Sequence, residues 1–183
     1  GMAQTATLIT ASEFLADPVY EGGWELIDGV PVEKCMGVRA NTISLVIQGE
    51  IWQAMKADKG RGLSPDQRYK LWPDRPNRVR VPDASYFVPS RVPDADLNEL
   101  TVAPDLVVEV VSTHEAALDT ERKLTDYLQA GVRLVWVIYP ETQTIHVYGQ
   151  DGLAALLSAG DTLSGHDVLP SFNVSVASLF PDR

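Results

Sequence analysis

One cysteine, Cys35, stands in the 183 residues. That excludes an intramolecular disulfide and any cysteine-based metal site. Histidine is nearly as scarce: His114, His146 and His166 are the whole set, and none has the spacing of a zinc site. No apolar run approaches the roughly 20 residues of a membrane span, and the start lacks a basic-then-apolar signal pattern. The expectation is therefore a cytoplasmic protein with no membrane partner, and Gly1-Met2 reads as a scar of tag removal. A P-loop, a G-x-G-x-x-G fingerprint and a G-x-S-x-G elbow are all missing. Positive charge is short as well, since the net charge of −10 argues against a chain coated in basic surface for nucleic acid.

What is there is ordinary globular composition, 45% hydrophobic and 22% charged, enough for one domain with a sizeable core. The pattern reads as an N-terminal hairpin and helix over residues 10–60, a central core over 61–150 and a C-terminal extension over 151–183. "WELIDGVPVEKC" alternates around Asp28-Gly29, a strong hairpin signal. In "ANTISLVIQGEIWQAMKADKG", Ile43, Val46, Ile47, Ile51 and Ala54 share one helical face, and Gly60 marks the stop. "QRYKLW" and "RVRVPDASYFV" read as strands joined by the turn "PDRPN". Ser112 and Glu115 form S-x-x-E, a capping box that predicts a helix from just after Ser112 to about Ala130. "RLVWVIYP" and "TIHVYG" complete a mixed α/β pattern with a sheet flanked by helices.

Basic residues do concentrate in one place. Lys56, Lys59, Arg61, Arg68, Lys70, Arg75, Arg78 and Arg80 fall within 25 residues, against Asp58, Asp66 and Asp74. Either this is a solvated hairpin or Arg68, Lys70, Arg78 and Arg80 make a local strip for phosphates.

The strand "PDLVVEVVS" contains an expensive residue. Glu109 lies among Leu106, Val107, Val108, Val110 and Val111, and a buried carboxylate must be paired, protonated or bound to metal. Asp83, in "VRVPDASYF", shares a strand face with Val81 and Ser85, as Glu109 does with Val107 and Val111. Neighbouring strands would place Asp83 and Glu109 on one side. Their oxygens would then suit Mg²⁺ or Mn²⁺, while an arginine such as Arg80 or Arg133 is the structural alternative. Glu50 lies near the middle of an apolar helical stripe, either at a gap in the packing or reaching toward the same metal. Lys123 is four residues after Asp119, where an exposed pair contributes about 0.3–0.5 kcal/mol. It also borders the inward face, so its stem can carry an ammonium toward the carboxylates.

Together, "WELIDG", "VPDASYF", "PDLVVEVVS" and "LDTERKLTDYLQAGVRLVWVIYP" resemble the Uma-type bacterial family of endonucleases over residues 20–150. That family lies within the restriction-endonuclease-like, PD-(D/E)xK nuclease superfamily. The resemblance implies a restriction-endonuclease-like fold and a Mg²⁺- or Mn²⁺-dependent endonuclease acting on DNA. Asp83 and Glu109 would be catalytic metal ligands, Glu50 a supporting ligand and Lys123 the catalytic lysine. Val111 stands where the superfamily lysine usually falls, and Lys123 matches the displaced position. The helix start "VRANT" lacks the histidine common in the family. A homodimer is a further implied partner, and a catalytically inert interaction module on the same fold is the alternative.

Overall fold

The computed structural model describes residues 7–181. The Gly1-Met2 start lies outside them. A capping box does form, but at Thr10 and Glu13, and it opens the short helix α1, Ala11–Ala16. A 3₁₀ turn follows at Pro18–Tyr20. Strands β1, Trp24–Ile27, and β2, Val30–Glu33, pair antiparallel through Asp28 and Gly29. Both turn residues have positive φ, 49° and 88°, as a two-residue hairpin of this kind requires.

Helix α2, Val38–Asp58, buries Ile43, Ile47, Ile51 and Ala54 at helical spacing. Burying each large aliphatic side chain contributes roughly 1.5–3 kcal/mol before the cost of ordering it. Its left-handed terminal residue is Lys59, with φ 67°, rather than Gly60. Gly60 is required for another reason. A Cβ there would come within 2.2 Å of the Phe87 carbonyl oxygen and the Tyr86 hydroxyl.

Strands β3, Arg61–Leu63, and β4, Arg68–Tyr69, come next, then β5, Ala84–Phe87, and β6, Glu99–Leu100. The two long strands expected over 67–88 are thus broken. Tyr69 bridges Arg80 and β4 pairs parallel with β6, while only Ala84–Phe87 joins the main sheet. Pro82, which has no N–H to give, precedes that entry.

Strand β7, Leu106–Val110, leads through helix α3, Ala117–Gln129, into the parallel strand β8, Leu134–Tyr139. A parallel return needs such a crossover. Strands β9, Thr144–Gly149, and β10, Gly152–Leu157, finish a six-stranded sheet ordered β10-β9-β8-β7-β5-β3. β11, Thr162–Gly165, and β12, Leu169–Ser175, form a separate hairpin packed on α2. The expected mixed α/β architecture is what forms.

The two faces of the sheet differ. Val108, Val110 and Trp136 pack with α2 and Phe172 in one core. Val107, Val135 and Val137 pack with Leu124 and Tyr127 of α3 in another. Among the described residues, no helix is long and apolar enough to cross a membrane.

Candidate active site

Alternation along β7 sends Glu109 to the α3 side, together with Val107. β5 pairs with β7 so that Ala84 faces Val108, which sets Asp83, one residue earlier, opposite Glu109. The Asp83 N–H donates to the Val108 carbonyl at 3.0 Å and holds that alignment. Both carboxylates are buried, Asp83 at 1% exposure and Glu109 at 4%.

Each is anchored by one oxygen. The Val110 N–H donates to Asp83 Oδ2 at 2.6 Å, and the Tyr127 hydroxyl donates to Glu109 Oε1 at 2.9 Å. The other two oxygens share a cation, the ammonium of Lys34. Lys34 Nζ lies 3.4 Å from Asp83 Oδ1, 3.2 Å from Glu109 Oε2 and 2.6 Å from the Val81 carbonyl oxygen. The compensating group is therefore neither Arg80 nor Arg133. Arg80 serves Glu25 and Asp126, and Arg133 serves Asp105 and Asp167.

The electrostatics follow from burial and this pairing. Burial pushes the Asp83 carboxyl up to about 7, with Lys34 pulling it down and Glu109 pushing it further up. Burial acts on Glu109 in the same sense, but Lys34, Lys123 and the Tyr127 hydroxyl outweigh it and hold Glu109 below its ordinary range. Burial opposes the charge on Lys34, and the two carboxylates overcome it, raising that ammonium well above the usual lysine value.

Lys123 is buried on α3 and donates to Glu115. Asp119, its expected partner, pairs instead with Arg122. The expected capping box at Ser112 and Glu115 does not form. Glu115 gives one oxygen to Lys123 and the other to the Thr120 hydroxyl, and α3 starts at Ala117 with no side-chain cap. Burial would lower Lys123, but Glu109, then Glu25 and Glu115, keep it above its ordinary range.

Glu50 is not brought to this place. It sits half-buried on α2, whose apolar face covers the side of the sheet opposite to Glu109. Among the described residues, no three His, Cys, Asp or Glu side chains converge as a ligand set. The basic strip also dissolves into internal pairs. Arg68 donates to the Leu15 and Tyr20 carbonyls, Arg78 pairs with Asp28 and Asp126, and Arg80 is buried between Glu25 and Asp126. Of the four, Lys70 alone keeps a side chain without a polar partner among the described residues.

A cavity of about 480 Å³ reaches Lys34 and Val110, both of which contact the carboxylates, while neither Asp83 nor Glu109 lines it. Lys34, Lys123, Glu115 and His114 line it, with Val30 and Val32 of the hairpin on the apolar wall. Lys34 was not singled out from the sequence, because it follows a hairpin strand as an ordinary surface lysine would. Glu25 was missed too; its only signal was a carboxylate inside the strand "WELI".

The donor set fits a divalent ion. Two carboxylate oxygens and a backbone carbonyl oxygen already surround a cation, and hard oxygen donors of this kind suit Mg²⁺ or Mn²⁺.

A crystal structure described as a "putative nuclease belonging to DUF820", from Anabaena variabilis ATCC 29413, superposes with a TM-score of 0.81 at 24% identity. The match covers 94% of this chain and 97% of that one, so the two share a fold. No curated protein sequence matches. The family model for Uma2, described as "Putative restriction endonuclease", matches residues 13–177, and the chain belongs to the Uma2 family.

Proposed function

We propose that the chain is a divalent-metal-dependent nuclease that hydrolyses phosphodiester bonds of DNA. The observation that carries this reading is the paired, register-aligned Asp83 and Glu109, each with one oxygen anchored and one turned to a shared cation position. Asp83 Oδ1, Glu109 Oε2 and the Val81 carbonyl oxygen would hold Mg²⁺ or Mn²⁺. Such an ion, when bound, supplies positive charge beside the scissile phosphate and lowers the pKa of water.

The chain's own groups do the rest. Lys123, held by Glu115 at the cavity wall, orients the attacking water and offsets negative charge growing on the phosphate. Tyr127 and the Val110 N–H prevent the carboxylates from rotating away. Lys70 is the remaining candidate for a phosphate contact. Two copies of the chain would serve to cut both strands of a duplex.

The test is incubation with supercoiled, linear and single-stranded DNA under Mg²⁺ and Mn²⁺, with Asp83→Ala as control. Cleavage by the wild type alone, lost on chelation, is the expected result. A rate shared by Asp83→Ala would overturn the reading.

A second reading, a catalytically inert interaction module, draws on the net charge of −10 and on the internal pairing of Arg68, Arg78 and Arg80. Mn²⁺ binding with no cleavage of any DNA form would favour it.

A further inference from the structure

We infer that Lys34 is a displaceable counter-ion: its ammonium holds the cation position between Asp83 and Glu109, and a divalent ion entering there drives it into the adjoining cavity. This rests on the metal-binding reading above. The three oxygens around Nζ, at 2.6, 3.2 and 3.4 Å, are the same three that would hold the metal. Two cations cannot share them, because like charges at contact distance in a buried site repel strongly.

The displaced ammonium has somewhere to go. Lys34 already lines the cavity of about 480 Å³, whose wall carries Glu25, Glu33 and Glu115. Its unbranched stem can swing without moving the backbone, which stays fixed by the Lys34 N–H donating to the Gly23 carbonyl at 2.6 Å. Beyond it, residues 35–37 form no regular structure before α2 begins, so nothing rigid follows the side chain. Lys123 behaves differently. It has its own acid in Glu115 and need not leave when the carboxylates take a metal.

Lys34 thus keeps two buried carboxylates compensated while no metal is bound, and its expulsion subtracts from metal affinity. Once released, it adds a second ammonium to the cavity beside Lys123, facing the side from which a phosphate would approach.

The experiment uses the wild-type protein and Mn²⁺. Lysines are acetylated with N-hydroxysuccinimide acetate, rates at each site are read by peptide mass spectrometry, and Mn²⁺ binding is followed by calorimetry. In the metal-free protein Lys34 should react slowly, since an ammonium held between two carboxylates is not nucleophilic. Saturating Mn²⁺ should raise its rate by about tenfold or more while leaving Lys123 within about twofold. In Asp83→Asn the response to Mn²⁺ should vanish. Lys34→Met, if folded, should bind Mn²⁺ about tenfold more tightly than wild type, having nothing to displace.

Mn²⁺ binding with an unchanged or slower Lys34 rate overturns the inference and leaves the metal site standing. Equal or weaker Mn²⁺ binding by folded Lys34→Met does the same. No Mn²⁺ binding by the wild type sinks both readings together.

Discussion

Asp83 and Glu109 face each other at the end of the β5–β7 pairing, and one ammonium, that of Lys34, lies within 3.4 Å of both. Their environments are not equivalent. Asp83 leans on a backbone N–H and is held up near neutrality, whereas Glu109 takes a tyrosine hydroxyl and is held down.

That difference predicts how the metal-free protein responds to pH. Burial pushes the folded Asp83 carboxyl up to about 7 from its ordinary value of 3.8. A carboxyl raised on folding contributes stability that is full below its unfolded pKa and is lost as pH rises through its folded pKa. Glu109 is shifted the other way, so its contribution changes only below its ordinary value of 4.5. Between about pH 5 and about pH 7 the Asp83 effect should dominate, and the melting temperature in chelator should fall and then level off. Asp83→Asn should flatten that slope. A melting temperature that rises over this window in the wild type contradicts the assignment.

Metal affinity should run in the opposite direction. An incoming ion competes with the proton on Asp83, so Mn²⁺ binding measured by calorimetry should tighten as pH rises toward 7 and then level off. Proton release should accompany binding below neutrality and be visible as a dependence of the heat on buffer.

Tyr127 is buried, and its hydroxyl donates its hydrogen bond to Glu109. Removing that donor leaves a buried carboxylate oxygen unmatched. Tyr127→Phe should cost about 1.5–3 kcal/mol in urea unfolding, the range for hydrogen bonds to charged groups. A loss below about 0.5 kcal/mol would mean that water or Lys123 takes its place.

Much of this arrangement was legible in the sequence, for local reasons. Asp28-Gly29 announces its turn because few residue pairs tolerate two positive φ angles. Glu109 announces itself because it interrupts a run of valines, and period-two alternation puts Asp83 and Glu109 on one side. Several of the misreadings concern charge pairing with residues outside the local stretch. Arg78 and Arg80 looked available because Glu25 and Asp126 lie dozens of residues away on either side. Glu115 looked like a capping residue because Lys123, which claims it, is eight positions on. Lys34 gave no signal at all, since its role exists only once the hairpin folds over the end of β7.

The role proposed for Lys123 yields its own prediction. Lys123→Ala should slow DNA cleavage by about 100-fold or more while leaving Mn²⁺ binding nearly intact. Val111, two residues beyond Glu109, is half-buried among the α3-facing side chains. Adding Val111→Lys to the Lys123→Ala protein should restore part of the rate, with the loss of packing and untuned geometry preventing full recovery. Wild-type rates in Lys123→Ala would reduce Lys123 to a structural partner of Glu115.

Gly60 offers a test of packing away from the carboxylates. Its missing side chain makes room for the Phe87 carbonyl and the Tyr86 hydroxyl, which receives the Gly60 N–H at 3.0 Å. Gly60→Ala should destabilise by about 1–3 kcal/mol through overpacking. Lys59→Gly, at the left-handed helix end, should be neutral or mildly stabilising, and paired melting curves separate the two effects.

Arg78 reaches Asp28 in the hairpin turn with one nitrogen and Asp126 on α3 with another. The hairpin leads directly into Lys34, and α3 carries Lys123, so one guanidinium rivets together the two elements that deliver ammonium groups to the cavity. Mutational histories at the two lysines are therefore not independent. A substitution at the half-exposed Asp28, remote from any chemistry, alters the genetic background in which both are read, and strong epistasis should centre on Arg78.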